Sequence, residues 1–253
     1  MKLVVIGAGD LGADVARRWV ERGGEAIGIT ATPSRHDALR AWGIQPSTAL
    51  PSSLIDPEDR VVLSISGSPA QLQAAQALQG TPFSRGVMTS STAFHGHATG
   101  VRTPLSLPGE TPRATTAAQA ESAFHRLPSR TVVLRLGGLY RPGLGPLAAL
   151  LRRGHPPLGP ANKTLALMHR HDAATCILAA LTHPDPDPTY LGVTPPYPTR
   201  QEFYEAACER HGLRPPEFNS TEDLRVDYDV SATQRDLLSE PAHPSWTDAL
   251  DAG

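Results

Sequence analysis

The sequence predicts an α/β protein built on a doubly wound parallel sheet, and three observations indicate this fold class. Short apolar runs alternate along the chain with amphipathic or alanine-rich helical stretches, which is the pattern of repeated strand-helix-strand units. The runs VVL at 61–63 and TVVL at 131–134 are continuous, as expected for strands covered by helices on both faces. A glycine-rich turn follows the first apolar run and opens the first helical stretch.

The elements follow in order from this alternation. The apolar runs predict strands at 2–6, 25–30, 61–65, 86–89 and 131–136. The stretches between them predict helices at 10–22, 35–42, 69–79 and 114–126. After Tyr140 the chain becomes rich in turns, and we expect a later helix at 170–182 and a strand near 190–193.

Composition and charge narrow the function classes. The 253 residues carry 23 Lys and Arg against 25 Asp and Glu, a formal net charge of −2. With an isoelectric point near 6.5, there is no electrostatic reason to expect a nucleic acid partner. No apolar run approaches the ~18 residues of a membrane span, and the first run breaks at Gly7, short of the ~7–15 residues of a signal-peptide core. Cys176 and Cys208 alone form no disulfide framework, so we expect a cytoplasmic protein.

The most specific motif is the turn G-A-G-D-L-G, which directly follows a predicted strand. Gly7 permits the tight turn, Gly9 lets the backbone approach a pyrophosphate, and Gly12 allows the helix to pack closely on the strand. The helix N-terminus at Asp10 and Leu11 offers unpaired N–H groups to anionic oxygens. The context predicts a Rossmann-type dinucleotide site. The alternative is a glycine turn with a structural role only.

Residues after the second predicted strand bear on the choice between NAD and NADP. NAD-preferring folds usually place an Asp or Glu about 20 residues beyond the glycines to hold the ribose hydroxyls, and no carboxylate stands at this strand end. Thr30, Ser34 and Arg35 are instead suited to accept a 2′-phosphate, Arg35 through charge-assisted hydrogen bonds. In the alternative, Arg35 is a solvated residue and Asp37 binds the ribose. We expect NADP as the cofactor, with NAD as the lesser candidate.

Small residues end the next long strand, at the sheet edge where ligands of open α/β sheets lie. Ser66 and Gly67 are placed there to pass under the riboses of the cofactor. The alternative is that small residues simply suit a turn from strand to helix. These observations together predict a dinucleotide-binding domain over 1–140, with 161–194 returning to it, and a small substrate lobe over 141–160 and 195–253.

With these motifs in place, the chain resembles the extended, atypical branch of the short-chain dehydrogenase/reductase superfamily, grouped with NAD-dependent epimerases and dehydratases. The resemblance runs from residue 1 to about residue 250. Beyond the glycine turn, it depends on SSTAFHG at 90–96, LRLGGLYRPG at 134–143, MHRHDAA at 168–174 and PTRQEFY at 198–204. It implies an NAD(P)-dependent oxidoreductase or epimerase-like enzyme that acts on a small carbonyl or alcohol substrate.

The chain departs from this family at its Tyr-x-x-x-Lys pair. The resemblance places the two positions at Arg113 and Ala117. In the family, the Lys lowers the pKa of the Tyr and holds the nicotinamide ribose. Arg113 cannot replace a titrating Tyr, because guanidinium keeps its proton in proteins. The departure favours a rival function, a non-catalytic NADP(H)-binding sensor or regulatory protein of the same fold.

Two polar residues after the fourth predicted strand are the candidates for catalysis. Ser91 stands at the family's Ser/Thr position, where it could donate a hydrogen bond to a substrate carbonyl or else satisfy a neighbouring backbone group. His95 stands at the position of a family Tyr and is the nearby side chain whose ordinary pKa lies near neutrality. The alternative for His95 is an exposed residue in a loop.

Two histidine pairs do not predict a metal site. His95 with His97, and His169 with His171, have a spacing that brings both side chains to the same side only on a strand. No further run of ligand-type residues accompanies either pair. We expect Asp172 to cap the helix that follows.

Overall fold

Eleven strands and eight α-helices lie within the residues that the computed structural model describes, namely 1–48, 54–154 and 156–251. The strands are β1 (Lys2–Ile6), β2 (Glu25–Ile29), β3 (Gln45–Ser47), β4 (Arg60–Leu63), β5 (Arg85–Ser91), β6 (Gly100–Arg102), β7 (Arg130–Leu136), β8 (Gly138–Tyr140), β9 (Leu167–His169), β10 (Thr189–Gly192) and β11 (Val226–Tyr228). The helices are α1 (Asp10–Glu21), α2 (His36–Ala41), α3 (Ser68–Ala77), α4 (Pro112–His125), α5 (Pro146–Arg152), α6 (Arg170–Thr182), α7 (Arg200–Arg210) and α8 (Ser231–Asp236).

Seven strands form one parallel sheet in the order β10-β7-β5-β4-β1-β2-β3. The predicted doubly wound sheet is therefore confirmed. The chain order reverses between β1 and β4, and such a reversal opens a crevice at the carboxyl ends of the strands. Ile6 pairs with Ile29 on one side and with Leu63 on the other. The segments after β1, β2 and β4 consequently emerge side by side at the edge of this crevice.

Burial on both faces explains why the strand sequences are continuously apolar. Leu3 and Val5 of β1 belong to the cluster packed by α1 and α6, whereas Val4 and Ile6 belong to the cluster packed by α3 and α4. Each buried aliphatic side chain of this size contributes about 1.5–3 kcal/mol relative to an exposed one. A polar residue on either face of such a strand would therefore lower the stability of the fold. The strand sequences are accordingly apolar throughout and do not alternate between apolar and polar residues.

Most predicted elements are confirmed, with small shifts at their ends. The helix predicted at 170–182 is α6, and the strand predicted near 190–193 is β10. The strand predicted at 61–65 was too long, because β4 ends at Leu63 and the chain then turns into the crevice. Strand β3 was missed, because its three residues, QPS, carry no apolar signal and lie at the sheet edge.

A third cluster of buried apolar side chains lies away from the sheet. It contains Tyr140, Leu147, Phe203 and Leu250, from β8, α5, α7 and the C-terminal segment. Helix α8 packs instead on α6 and β10, and Leu237 just after it joins the cluster of the sheet. The division of the chain into two domains stays a prediction. Helix α8 lies in the segment predicted as the substrate lobe, yet it contacts elements of the predicted dinucleotide-binding domain.

Both cysteines are buried and free. Cys176 belongs to α6, and burial raises the pKa of its thiol to about 12, so the thiol stays protonated and unreactive. Cys208 belongs to α7 in the third cluster. Across the described ranges, no helix combines the length and the apolar character needed to cross a bilayer.

Candidate functional site

The glycine turn lies between β1 and α1 at the edge of the crevice. Gly7 has φ of +92°, and a Cβ there would lie 2.5 Å from the carbonyl oxygen of Ser64. A Cβ on Gly12 would collide with the carbonyl oxygen of Gly7. Around Gly9, by contrast, the nearest such atom to an added Cβ is the Gly7 oxygen at 4.0 Å. The fold itself requires Gly7 and Gly12, whereas the missing side chain of Gly9 leaves space open before the N-terminus of α1.

A cavity of about 820 Å³ extends from this turn along the strand ends. Five predicted cofactor residues line it: Gly9, Asp10, Leu11, Ser66 and Gly67. Gly7 and Gly12 lie behind it in the turn, and Thr30, Ser34 and Arg35 are not among its lining residues. A volume in the range of about 300–1,000 Å³ is typical of small-molecule and cofactor sites. We refer to it as the glycine-turn cavity.

The loop after β4 forms one wall of this cavity. Gln71, on α3, donates its amide protons to the carbonyl oxygens of Ile65 at 2.8 Å and Thr89 at 2.6 Å. These two bonds tie the loop to β5. Gly67 has φ of +93° and precedes α3, so the chain reverses there without a side chain in the cavity. Gln71 was not predicted, since a glutamine in a helix gives no signal of its own.

Two arginines bind the carboxylate of Asp10. Arg141 donates from Nε and Nη2 at 3.0 and 2.9 Å, and Nη1 of Arg170 lies 3.3 Å from Oδ1. Burial raises the pKa of Asp10, but the hydrogen bonds from Arg141 and the charge of Arg170 outweigh it and lower that pKa. What remains for a ligand at Asp10 is its backbone N–H. The two arginines were not predicted as part of the site.

The hydroxyls predicted to accept a 2′-phosphate already have partners. Oγ1 of Thr30 donates to the carbonyl oxygen of Thr32 at 2.8 Å and lies 3.0 Å from Nε2 of His36. Oγ of Ser34 lies 3.0 Å from Oγ1 of Thr32. These contacts order the segment between β2 and α2. His36, the first residue of α2, was not predicted as part of the site.

Arg35 differs from these neighbours because its cation is available. It is exposed, and its guanidinium makes no hydrogen bond or ion pair with any residue that the structure describes. Its charge contributes to the lowered pKa of Asp10, so it lies within electrostatic range of the glycine turn. Asp37, the alternative ribose ligand, is fully exposed and pairs with Arg40 at 2.8 Å. The arrangement favours Arg35 over Asp37 as the residue that meets a ligand.

A second cavity of about 280 Å³ adjoins the first. Ser91 and Arg113 line both cavities. The second also contacts His95, Lys163 and Arg200. The two spaces therefore meet at the position where the family resemblance places the missing Tyr. We refer to the second space as the lobe cavity.

Ser91 ends β5 and begins a short 3-10 turn. Its Oγ accepts a hydrogen bond from the backbone N–H of Ala93 at 3.2 Å. The backbone interaction that was the alternative for Ser91 is thus present. It uses the oxygen as an acceptor and leaves the hydroxyl proton free to be donated to a ligand.

His95 is buried, with 2% of its surface exposed, so the alternative of an exposed loop residue is wrong. Its ring contacts Phe94 and Tyr228 edge-on at centroid distances of 5.3 and 6.0 Å. Neither ring nitrogen has a hydrogen-bond partner among the described residues. Burial, together with the charges of Arg135 and Arg102, lowers the pKa of His95 to about 4. The imidazole is neutral at pH 7, with one donor and one acceptor unused.

A buried ion pair between β7 and α4 lies next to the end of β5. Nη2 of Arg135 on β7 lies 2.9 Å from Oε2 of Glu121 on α4, and both residues are buried. Ser90 donates to Oε1 of Glu121 at 2.5 Å, and the Arg135 guanidinium lies 3.4 Å from the centroid of the Phe94 ring. The pair holds the end of β5 and the turn that carries His95. The signal that could have found it is the single Arg inside the apolar run of β7.

Histidines near the start of α6 form a cluster of their own. The N-cap is His169, whose Nδ1 accepts from the backbone N–H of His171 at 3.2 Å, so the prediction that Asp172 caps the helix was wrong. Asp172 accepts instead from the N–H groups of Ala242 and His243, at 3.0 and 3.1 Å. Within the described ranges, no group of three His, Cys, Asp or Glu side chains is arranged to hold a metal ion.

Comparison with known proteins gives a full-length relative without a stated activity. No protein-family model matches the chain. The chain is 27% identical over 249 residues to Protein YeeZ of Escherichia coli K12, and the match covers 88% of each sequence. At this level of identity, the relative shows similarity along nearly the whole length.

Solved structures identify the fold. UDP-glucuronic acid 4-epimerase of Bacillus cereus, in complex with NAD, matches all of this chain and 95% of its own at a TM-score of 0.79 and 17% identity. This chain shares the fold of that epimerase. The human epimerase family protein SDR39U1, solved with NADPH, matches 99% of this chain and 98% of its own at a TM-score of 0.76 and 18% identity. The epimerase-like fold expected from the sequence motifs is thereby confirmed.

Proposed function

We propose that this protein binds NADP(H) in the glycine-turn cavity and acts as an oxidoreductase or epimerase-like enzyme on a small carbonyl or alcohol in the lobe cavity. One observation carries the proposal: the two cavities meet at Ser91 and Arg113. Hydride transfer needs a cofactor and a substrate in contact at one point, and this junction supplies such a point. The nucleotides bound by the Bacillus cereus epimerase and by SDR39U1 support the choice of cofactor class.

The residues around the glycine turn fit a dinucleotide. The open space at Gly9 and the free N–H groups at the start of α1 suit a pyrophosphate. Arg35 supplies an unpaired cation for a 2′-phosphate, which is the basis for NADP over NAD. The small residues Ser66 and Gly67 line the cavity and leave space for the riboses of the cofactor. A nicotinamide bound here would supply a hydride donor or acceptor.

Ser91 and His95 are the proposed contacts to the reacting oxygen. Ser91 retains a hydroxyl proton to donate. The pKa of His95, lowered to about 4, keeps its ring neutral, so at pH 7 it would act as a hydrogen-bond donor rather than as a charged acid. Neutral imidazole is known to polarise a carbonyl in this way. The proton that the substrate exchanges would then come through His95 or from water.

A second function, a non-catalytic NADP(H)-binding regulator, is favoured by the residues of the glycine-turn cavity. Among the described residues, Asp10 and Arg113 are the titratable groups that line it. Asp10 is paired to two arginines, and Arg113 keeps its proton. Ala117, at the family's Lys position, is buried and offers no polar group. Neither Asp10 nor Arg113 can therefore carry out the proton transfer that the family's Tyr and Lys pair performs.

Turnover and binding assays on the same protein distinguish the two functions. Purified protein is incubated with the oxidised or reduced form of NADP or NAD and a panel of aldehydes, ketones, alcohols and sugar nucleotides. Absorbance at the nicotinamide band measures net oxidation or reduction, and chromatography of the products detects epimerisation, which leaves the cofactor unchanged overall. We expect turnover of at least one member, and a loss of about 10²–10⁴-fold in turnover for His95→Ala with the Kd for NADPH unchanged. His125→Ala, on a helix end outside both cavities, is the matched control.

Three other results would each contradict part of this proposal. NADPH binding without turnover across the panel favours the regulator. Turnover that His95→Ala leaves intact refutes the role of His95 and leaves the enzyme. If neither nucleotide binds at millimolar concentration, both functions are refuted.

A further inference from the structure

We propose that the molecule bound in the lobe cavity carries an anionic group, a carboxylate or a phosphate, held by Lys163, Arg200 and Arg113. The inference deepens the proposed function, since it names the substrate class of that site. It depends on the cavity and its charges, and it does not depend on which dinucleotide the glycine turn binds.

The charge of the cavity is the first argument. Lys163, Arg200 and Arg113 line it, and no Asp or Glu stands among its described lining residues. None of the three cationic groups makes a hydrogen bond or an ion pair with a residue that the structure describes. By contrast, Arg135 and Arg141 both bind a carboxylate. The lobe cavity therefore contains three cationic side chains and, among its described lining residues, no acidic side chain to balance them.

The backbone holds these cations in place. Arg200 is the first residue of α7, and its N–H donates to the carbonyl oxygen of Lys163 at 2.9 Å. The Arg200 guanidinium lies against Gly159, where an added Cβ would be 2.5 Å from Nη1. Arg113 approaches from the first turn of α4. Burial lowers the pKa of Lys163, and the charges of Arg200 and Arg113 lower it further, so the three cations lie within range of one another.

His95 supplies an independent observation that points to a ligand. It lines the same cavity and is 2% exposed, yet both ring nitrogens lack a partner among the described residues. Buried polar atoms in folded proteins nearly always have hydrogen-bond partners, and an exception calls for a bound group or water. A ligand that combines a carbonyl or hydroxyl with an anionic group would satisfy His95 and the cations together.

The size of the cavity restricts this ligand. Its volume of about 280 Å³ is about a third of that of the glycine-turn cavity, about 820 Å³. A short-chain acid or a phosphorylated alcohol fits this space. The charges and the volume thus indicate a small anionic substrate.

The test uses matched anionic and neutral probes, with affinities measured by titration calorimetry at constant ionic strength. The pairs are glycerol 3-phosphate with glycerol, and malonate with malonamide. We expect the anions to bind and their neutral partners to show no heat, and the tighter anion identifies phosphate or carboxylate as the preferred group. Lys163→Met should weaken anion binding by about tenfold or more, because it removes a charge-assisted hydrogen bond. Arg153→Met, which removes an exposed charge outside the cavity, should bind the anion as the wild type does.

Two further variants keep the test decisive. Arg113→Met changes an exposed helix-end residue, so it reports on the cavity if Lys163→Met fails to fold. Gly9→Val obstructs the glycine turn, and the anion should still bind to it. In the wild type, anion binding without NADPH binding would refute the proposed cofactor and uphold this inference. Equal affinity for charged and neutral probes, or unchanged anion affinity in both the Lys163 and Arg113 variants, would overturn it.

Discussion

The glycine turn allows a sharp separation of binding from folding. At Gly9 a Cβ has open space, whereas at Gly12 it collides with the carbonyl oxygen of Gly7 and lies 2.9 Å from Cγ1 of Val5. Gly9→Val should therefore fold, with a loss of about 1 kcal/mol because Val is a poor N-cap. Gly12→Ala should lose more stability, about 1–3 kcal/mol, because it overpacks the junction of helix and strand.

The magnitude of the NADPH effect follows from mass action. A ligand at 100 times its Kd stabilises the folded state by about 2.7 kcal/mol. For a chain of this length, 1 kcal/mol shifts Tm by about 2–4 °C, so the wild type should gain about 5–11 °C. Gly9→Val should gain nothing at the same NADPH concentration, because its side chain occupies the pyrophosphate space.

Thermal unfolding of the wild type and both variants, with and without NADPH, measures these shifts. Gly12→Ala is the control for a general loss of stability, since it alters the fold and not the open face of the turn. A Gly9→Val protein that keeps the full NADPH shift would refute the assignment of this turn to the pyrophosphate. So would a wild type that shows no shift.

Three further predictions concern the charges around the site. Glu121→Ala leaves the buried Arg135 without its partner, so urea unfolding should show that the free energy of unfolding falls by about 3–5 kcal/mol. Replacing both residues, by Leu and Met, should recover most of this loss. A loss below about 1 kcal/mol for the single variant would contradict a buried pair. Arg35→Ala should lower the affinity for NADPH while leaving that for NADH unchanged, and an unaltered ratio of the two Kd values would remove Arg35 from the 2′-phosphate site. The pKa of His95 falls from 6.5 to about 4 on folding, so only the unfolded chain binds this proton between those values. The contribution of His95 to the free energy of unfolding should therefore be complete above pH 6.5 and should fall by about 3 kcal/mol as the pH drops toward 4. In urea unfolding measured at each pH, His95→Gln should lack this part of the decline.

The sequence alone was sufficient for the features that depend on neighbouring residues. The order of strands and helices, the turn at Gly7 to Gly12 and the bounds of α6 follow from short-range patterns of apolar residues and glycines. Such patterns are local because a strand buried on both faces and a helix with one apolar face each impose a fixed period on the chain. Strand β3 escaped prediction for the same reason, since its three residues carry no period at all.

The tertiary structure alone decided the polar environment of the site. Arg141 and Arg170 reach Asp10 from 131 and 160 residues along the chain. Lys163 and Arg200 meet Arg113 in the lobe cavity from three separate segments. No spacing in the sequence encodes such meetings, because hydrogen bonds and charge pairs act over a few ångströms in space whatever the separation along the chain.

The same reason explains His95. Its position in a glycine-flanked turn resembles that of a solvated loop residue, and the local sequence contains nothing that covers it. Tyr228, from the far end of the chain, packs against the ring and helps to bury it. The charge of Arg135 then helps to keep the ring neutral. The residue type was determined by the sequence, and its burial, protonation state and unused hydrogen bonds were decided by packing between distant segments.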